Sequence, residues 1–400
     1  MTCSIDEFMQ YIDEEDIKFI RLLFCDIFGT PKNISVMPCD IKRAFESGIG
    51  INPRGIPGFG VETGSDIFLH PEADTAALLP WRPDQGRVVR LFCDINYEDK
   101  TPFAADTRNL LREAVKKAES KGVTFTFGTR IEFYLFKTDE EGEPTMTPFD
   151  KAGYMDIAPL DKGENVRREI CLTLERMGIT PFNSHHEAGP GQNEIDFVSA
   201  DPIKAADDTL TYISVVKTIA ARNGLYADFS PKPLSGLPGN GFHVNVSASK
   251  NGESVIKSAT EGILQKIYDL TIFMNRCEAS YQRIGKGDAP RFITWSSGNY
   301  GQLVRASRNG GHPYAQLRSP DAFSNPYLIF ALLIEAGLYG IENDLKLRDA
   351  VDIDLREPSS MKSGEYTLLP RTIDEAKEAA KKSEFIKEVL PESIISAYCD

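Results

Sequence analysis

Hydrophobic and polar residues alternate in four stretches of the chain, which is typical of β-strands whose successive side chains point to opposite faces of a sheet. The stretches are residues 128–136, 193–198, 241–247 and 313–318. Their polar positions are Arg130, Glu132, Tyr134, Glu194, Asp196, His243, Asn245, Ser247, Tyr314, Gln316 and Arg318. An antiparallel sheet with one solvated face would give the same alternation. Acids, a histidine and arginines opposite strongly apolar positions favour a polar cleft instead.

Apolar positions with helical spacing predict longer helices over residues 107–121, 201–223, 253–275, 328–345 and 373–387. Before residue 100, short strands and short helices predict a small α+β unit with a mostly antiparallel sheet. The segment 48–60 is rich in Gly and Pro and predicts a loop. We place a domain boundary near Asp99-Lys-Thr-Pro102, which gives units of residues 1–100 and 101–400.

The stretch 184–197 carries the strongest signal for chemistry. Glu187 and Glu194 lie on either side of Ala188-Gly-Pro-Gly191, a sequence that breaks a helix and lets the chain double back. Both carboxylates could then face one point, as the oxygen ligands of Mg²⁺ do. A polar hairpin with two exposed acids is the alternative, because most charged residues lie on the surface.

Composition narrows the class of function. The chain has 41% hydrophobic and 26% charged residues, as ordinary globular proteins do. Its net charge of −14 argues against nucleic acid as a partner, since binding nucleic acid needs concentrated Lys and Arg. No apolar run reaches membrane-spanning length, so we expect no membrane partner. Seven scattered cysteines without a CxxC pair predict reduced thiols in a cytoplasmic protein.

Three arginines could bind an anionic substrate, because the guanidinium group matches a carboxylate or a phosphate. They are Arg283, Arg305 and Arg318, and for each the alternative is a surface salt bridge. His243 alone would more often be structural than a ligand, and we also assign His185 and His186 to structure.

Ordered motifs along nearly the whole chain resemble those of the glutamine synthetase family. They are Leu79-Pro-Trp81, Thr101-Pro-Phe103, residues 131–136, Gly153-Tyr154, His186-Glu187, residues 191–197, Pro231-Lys-Pro233, Gly241-Phe-His243, residues 318–321 and residues 325–328. The resemblance implies an α+β fold: an N-terminal β-grasp domain and a catalytic domain with a curved antiparallel sheet flanked by helices. It also implies a homo-oligomer, either a hexameric ring or a double ring, with active sites between neighbouring subunits.

The resemblance also implies a reaction and roles for residues. In this family ATP phosphorylates the γ-carboxylate of glutamate, ammonia or an amine displaces the phosphate, and two Mg²⁺ or Mn²⁺ ions hold the reacting groups. The three glutamates of the first metal site match Glu132, Glu187 and Glu194. The residues that contact substrate or take part in catalysis match Arg283, Arg305, Arg318, Gly239, Tyr154 and Asp288, where Asp288 replaces a glutamate.

The second metal site departs from the family pattern. Its Glu, His and Glu ligands correspond here to Arg130, His243 and Gln316, so both carboxylates are missing. Arg130 would repel a second divalent ion and could supply part of its charge. We therefore expect one Mg²⁺ or Mn²⁺ site with a fixed cation beside it, suited to an anionic group of a small amino-acid substrate.

The ammonium and ATP sites depart as well. Asn52-Pro-Arg-Gly55 stands where the family has an Asp-Gly-Ser-Ser loop, which removes the acid that helps to bind ammonium. Tyr300 replaces an arginine, and Gly311 and Tyr314 align with a lysine and an arginine that handle ATP. Use of ATP is therefore an open question.

Three functions remain open on these grounds. The first is an ATP-dependent γ-glutamyl ligase with an altered acceptor. The second is an ATP-independent single-metal hydrolase, transferase or lyase that acts on a glutamate-related amino acid or amide. The third is a non-catalytic regulatory homologue, which the intact first metal site disfavours. Fold alone does not decide between them.

Overall fold

The computed structural model describes residues 4–60, 65–309, 312–355 and 365–400. The helices in these ranges are α1 (Ile5–Glu14), α2 (Ile41–Ser47), α3 (Thr107–Ser120), α4 (Glu164–Arg176), α5 (Pro202–Arg222), α6 (Ile256–Met274), α7 (Glu278–Arg283), α8 (Pro326–Glu342), α9 (Ile373–Lys382), α10 (Glu384–Val389) and α11 (Glu392–Cys399). The strands are β1 (Ile17–Cys25), β2 (Pro31–Val36), β3 (Ile49–Ile51), β4 (Ile67–Pro71), β5 (Ala77–Leu78), β6 (Arg87–Asn96), β7 (Val123–Thr138), β8 (Pro144–Pro148), β9 (Pro181–His186), β10 (Gln192–Phe197), β11 (Leu225–Asp228), β12 (Phe242–Lys250), β13 (Glu253–Ser254), β14 (Trp295–Ser296), β15 (Val304–Asn309) and β16 (His312–Leu317).

The first sheet has the order β2-β1-β6-β4-β3, with β5 also paired to β6. Strands β1 and β6 run parallel and the other pairs run antiparallel, so the sheet is mixed but mostly antiparallel, as predicted. Helix α1 starts with a capping box, in which Ser4 and Glu7 satisfy each other's backbone N–H groups. Its apolar stripe buries Phe8 and Ile12, which anchors the helix to the core of this unit.

The second sheet has the order β14-β15-β16-β12-β7-β10-β9. Its central strand β7 is 16 residues long and is covered on its apolar face by helices. Phe127 of β7 stacks on Phe330 of α8 with ring centroids 4.4 Å apart, and the Tyr212 hydroxyl of α5 donates to the Ile131 carbonyl at 3.1 Å. Because the helices occupy that face, the polar side chains of the four alternating stretches lie on the other one.

Asn325 joins the two sheets' units at the start of α8. Its side-chain oxygen accepts from Tyr327 N at 3.0 Å, and its amide nitrogen donates to the Ile27 carbonyl at 3.0 Å and to Thr107 Oγ1 at 2.9 Å. Gly29 lies so close that a Cβ atom there would be 2.8 Å from Asn325 Cα. One helix cap therefore also fixes the position of the loop after β1.

Three predicted elements differ from the structure. Of the helix predicted over 253–275, residues Glu253–Ser254 form β13 instead, which pairs with β12. The segment predicted as a loop over 48–60 contains the short strand β3, which extends the edge of the first sheet by pairing with β4. The predicted tail helix is two helices, because Ser383 ends α9 and its hydroxyl caps α10 by accepting from Ile386 N.

None of the helices in the described ranges is long and apolar enough to cross a membrane.

Candidate functional site

The turn between β9 and β10 presents the two acids of the stretch 184–197. Glu187 N donates to the Gln192 carbonyl at 2.8 Å, which closes the hairpin. Gly191 has φ +69°, and a Cβ atom at Gly189 would lie 2.0 Å from the Tyr134 hydroxyl, so both positions require glycine. The chain doubles back between β9 and β10, and the turn directs Glu187 to the same region as Glu194.

Strand pairing brings a third acid directly opposite Glu194. In the antiparallel pair of β10 and β7, Glu194 faces Glu132. Like charges in directly opposite positions destabilise a sheet, unless a cation lies between them. Glu194 is 4% exposed, and burial together with Asp196 and Glu132 raises its pKa well above the usual value. Closely spaced carboxylates in a buried position fit a divalent cation.

Glu132 is held by neutral donors on its other side. Gly241 N donates to it at 2.8 Å and His243 Nε2 lies 3.3 Å away. Burial acts to raise the pKa of Glu132, but the contacts with His243 and Gly241 lower it overall. Burial and the nearby Arg318 lower the pKa of His243 to about 4, so this histidine is neutral at pH 7 and can serve as a ligand or a donor.

Two sets of possible metal ligands among the described residues contain Glu194, and one of them includes His185, which we had assigned to structure. Glu132, Glu194 and His243 have ligand atoms within 4.8 Å of one another, and so do His185, Glu187 and Glu194. Glu194 belongs to both sets and therefore lies at the centre of the site. Carboxylate oxygens suit Mg²⁺ or Mn²⁺, and Glu194 is grouped with Glu132 in one set and with Glu187 in the other, although no set among the described residues holds all three glutamates.

At two of the three second-metal positions, Arg130 and Gln316, the side chain offers no carboxylate and is bonded to protein groups. Arg130 Nε donates to Asp196 Oδ2 at 2.8 Å, a second nitrogen of the same guanidinium donates to that oxygen, and Nη2 is 3.8 Å from Glu194. Gln316 Nε2 donates to Asn245 Oδ1 at 3.0 Å, and its oxygen accepts from Arg318 Nη1 at 3.1 Å. Both side chains are therefore occupied by protein partners.

The three candidate anion-binding arginines lie in different environments. Arg283 is 3% exposed and donates to the carbonyls of Ser319 and Arg318, and burial lowers its pKa. Arg318 is also buried, and its Nε has no partner among the described residues. The guanidinium of Arg305 lies 4.0 Å from the ring centroid of Tyr300. The replacement at Tyr300 thus supplies an aromatic face for a cation.

A cleft of about 1150 Å³ adjoins these groups. It is lined by seven of the predicted site residues, which are Glu132, Glu187, Gly239, His243, Arg283, Asp288 and Arg318. A Cβ atom at Gly239 would be 2.4 Å from the Pro231 carbonyl, so this position also requires glycine. The volume exceeds that of most small-molecule sites, which measure about 300–1,000 Å³, and leaves room for more than one substrate.

Two predicted substrate-binding residues lie apart from the lining of this cleft. Tyr154 is 60% exposed, and its ring contacts His185 edge to face at 5.7 Å between centroids. Asn52 is on the first sheet's unit, where its side chain accepts from Arg54 N at 3.0 Å. Gly311, which aligns with an ATP-site residue, lies outside the described residues.

The structure adds residues that sequence reasoning did not assign to the site. Asp196 is fully buried and holds Arg130; its place on the same strand face as Glu194 indicates a position near the site but not its partner. His185, which we assigned to structure, contacts Glu187 at 2.9 Å. Lys232 and Lys286 line the cleft and add positive charge. Their positions depend on loops whose path the sequence pattern does not give.

Comparisons with known proteins agree with this architecture. Residues 16–98 match the family model "Glutamine synthetase, beta-Grasp domain", and residues 104–400 match "Glutamine synthetase, catalytic domain". The chain is 38% identical over 410 residues to a glutamine synthetase of Clostridium saccharobutylicum, covering 98% of this chain and 93% of the relative. It is 39% identical over 415 residues to that of Staphylococcus aureus strain MW2, covering 99% and 93%.

A solved structure described as a GmaS/ADP complex superposes with a TM-score of 0.88 at 26% identity, covering 100% of this chain and 94% of that one. The predicted fold is thereby confirmed: a β-grasp domain at the N-terminus and a glutamine-synthetase-type catalytic domain with its sheet and flanking helices. With both family models matched over almost the entire sequence, the chain belongs to the glutamine synthetase family.

Proposed function

We propose that this protein is a glutamine-synthetase-family ligase that binds glutamate, or a closely similar amino acid, beside a single divalent metal ion. ATP activates the γ-carboxyl group, and an amine different from the family's usual ammonium accepts it. One observation carries the proposal: Glu132 and Glu194 face each other across two strands, while Arg130 beside them is bonded to Asp196.

The metal ion would be held by Glu132, Glu187 and Glu194, and when bound it would neutralise negative charge on the phosphate and carboxylate oxygens. Arg130 provides a fixed positive charge where the family has a second ion. Its charge is partly balanced by Asp196, so it attracts an anion less strongly than a free divalent ion would.

The remaining groups would bind and orient the substrates. Arg318, with its unpartnered buried Nε, would bind the carboxylate of the amino acid. Arg283, in the wall of the cleft, would assist Arg318 in this binding. Arg305 and Asp288 would act beside the transferred phosphoryl group. Because phosphoryl transfer depends on positioning and charge stabilisation, these roles need no covalent chemistry from the protein.

The acceptor site would lie near Tyr154, whose ring is largely exposed beside His185. Asn52 would reach the cleft of a neighbouring subunit in a ring. Since Asn52 replaces the acid that binds ammonium in the family, the acceptor is an amine that is deprotonated without that acid. The proposed units remain a β-grasp domain over residues 1–100 and a catalytic domain over 101–400.

A second candidate function is favoured by the state of Gln316. Its amide is bonded to Asn245 and Arg318. Position 316 therefore offers no carboxylate to a metal ion that carries a nucleotide phosphate. On that basis the protein would be an ATP-independent single-metal enzyme that acts on glutamine or a γ-glutamyl amide.

One assay separates these functions. The protein is incubated with Mg²⁺ or Mn²⁺, glutamate, ATP and a panel of amines, and release of ADP and phosphate is followed. ADP release that requires glutamate and an amine supports the ligase, and it should disappear in Glu187→Gln. Absence of ADP release, together with no ATP binding by calorimetry, would exclude it. Turnover of glutamine or a γ-glutamyl amide without nucleotide would establish the second function, and glutamate binding without any turnover would indicate a non-catalytic protein.

A further inference from the structure

A second cavity lies between the first sheet and helix α5 and shares no lining residue with the cleft. Its volume is about 150 Å³. The walls combine apolar side chains with two arginines, and the residues that matter for the argument are Arg21, Leu23, Leu79, Trp81, Arg90 and Leu210. None of these residues has a role in the proposed reaction.

The two arginines are neighbours across paired strands. Arg21 of β1 lies directly opposite Arg90 of β6 in the parallel register, so both side chains project from the same face of the sheet. Arg82 adds a further positive charge, and burial together with Arg82 lowers the pKa of Arg21. Like charges placed opposite each other destabilise a sheet, so this arrangement needs an anion to balance it.

Arg90 has no such anion among the described residues. It is 7% exposed, its Nη1 has no hydrogen-bond partner, and neither Arg90 nor Arg21 forms an ion pair in the described part of the chain. A buried charge without a partner is costly. The ring of Phe92 lies 4.1 Å from the guanidinium carbon and covers one face, and Arg90 lines the cavity.

The nearest acids are occupied by other groups. Asp207 accepts from Arg108 at 3.0 and 3.1 Å and from the Tyr327 hydroxyl. Asp208 accepts from Lys204 at 2.7 and 2.8 Å. Both acids attract Arg90 through space, but neither reaches it with a hydrogen bond. The arginine therefore keeps its capacity to bind a carboxylate.

We propose that this cavity binds a small carboxylic acid with a compact apolar body, whose carboxylate lies between Arg21 and Arg90. The apolar body contacts Leu23, Trp81 and Leu210. A cavity of about 150 Å³ can hold a molecule the size of benzene, which sets the ligand at roughly six to eight non-hydrogen atoms. Because the walls come from both the first sheet and α5, the ligand holds the β-grasp domain against the catalytic domain.

The test uses 3-methylbutanoate as the probe and 3-methylbutanamide as a control of the same shape without charge. Binding to the full-length protein is measured by calorimetry, and the melting temperature is followed as a function of probe concentration. We expect saturable binding of one acid molecule per chain and a rise in melting temperature. The amide should bind at least tenfold more weakly. Equal binding of the acid and the amide, or binding of neither, would overturn the proposal.

Substitutions of the two arginines test whether the acid binds in this cavity. Arg90→Met should weaken binding of the acid at least tenfold and raise the melting temperature of the ligand-free protein, because it removes a buried unpaired charge. Arg21→Gln, at a partly exposed position, should also weaken binding and decides the matter if Arg90→Met does not fold. Arg222→Gln is the matched control, since Arg222 donates to the Trp81 carbonyl without lining the cavity. Full binding by Arg21→Gln, or a loss in Arg222→Gln equal to that in Arg21→Gln, would contradict the assignment.

Discussion

Arg130 determines the charge balance of the proposed active site. Where the family places two carboxylates for a second ion, this chain has one cation at Arg130 and one neutral amide at Gln316. Each replacement has its own protein partner, since the arginine is bonded to Asp196 and the amide to Asn245. We therefore propose that hydrogen bonds within the chain take the place of a second set of metal ligands.

Reversing both replacements should create a second metal site. Wild-type protein should bind one Mn²⁺ per chain, and Arg130→Glu with Gln316→Glu should bind two, because carboxylates return to both positions beside His243. Elemental analysis and calorimetric titration measure the stoichiometry. Arg130→Gln alone is the control that removes the cation without adding ligands, and it should still bind one. An unchanged stoichiometry in the double variant would count against the one-metal proposal.

Loss of the cation alone should destabilise the fold. Arg130→Met leaves Asp196, which is 0% exposed, without its charged partner next to Glu194. Removing one partner of a buried ion pair costs about 3–5 kcal/mol, measured here as the free energy of unfolding in metal-free buffer. Adding Asp196→Asn should recover more than half of that loss. If the double variant were no more stable than Arg130→Met, the pair would not be the cause.

The sequence pattern predicts the face on which a strand's side chain lies, but not the strand with which it pairs. Alternation predicted which face of β7 and β10 carries Glu132 and Glu194, because a strand's side chains follow a period of two. The register that sets Glu132 opposite Glu194, and Arg130 opposite Asp196, depends on contacts between strands about 60 residues apart. Local pattern carries no information on such pairing, so the partner of Arg130 could not be predicted.

Asn325 caps helix α8 and also bonds to Thr107 and to the loop after β1, so its substitution tests how one residue connects these segments. Asn325→Ala removes the bonds to Tyr327 N, Thr107 Oγ1 and the Ile27 carbonyl, all buried. A lost cap and unsatisfied buried groups together should cost about 2–4 kcal/mol in the free energy of unfolding. Asn343→Ala at the exposed end of the same helix removes one bond to Tyr339 and should cost less than about 1 kcal/mol. Similar losses in both variants would disprove the linking role of Asn325.

Helix α5 should make stability depend on pH through Asp208. Burial raises the pKa of Asp208 from 3.8 to about 6, against the lowering effect of Lys204. The folded state therefore binds the proton more tightly than the unfolded state, and this contribution to stability is lost as pH rises from about 4 to about 6. Relative to wild type, Asp208→Asn should gain stability over that interval when melting temperatures are compared at pH 4.5 and 7. A difference independent of pH would contradict the assignment.

At the scale of the whole molecule, an apolar segment beside the site predicts self-association. Tyr154, Met155, Ile157 and Leu160 are 56–77% exposed within seven residues, which is unusual for a surface that faces only water. This segment lies next to His185, whereas Asn52 lies on the first sheet's unit and does not line the cleft of its own chain. A ring in which one subunit's Asn52 approaches the next subunit's segment would account for both observations.

Light scattering after gel filtration tests this ring. The protein should elute with a mass near six or twelve times 44.5 kDa, and Ile157→Asp should shift it towards the single-chain mass because a charge cannot be buried in an apolar contact without a partner. Leu172→Asp is the matched control, at a position on α4 that is 39% exposed and outside the segment, and it should keep the wild-type mass. A single-chain mass for the wild-type protein would exclude the ring, and with it the contribution of Asn52 to a neighbouring cleft.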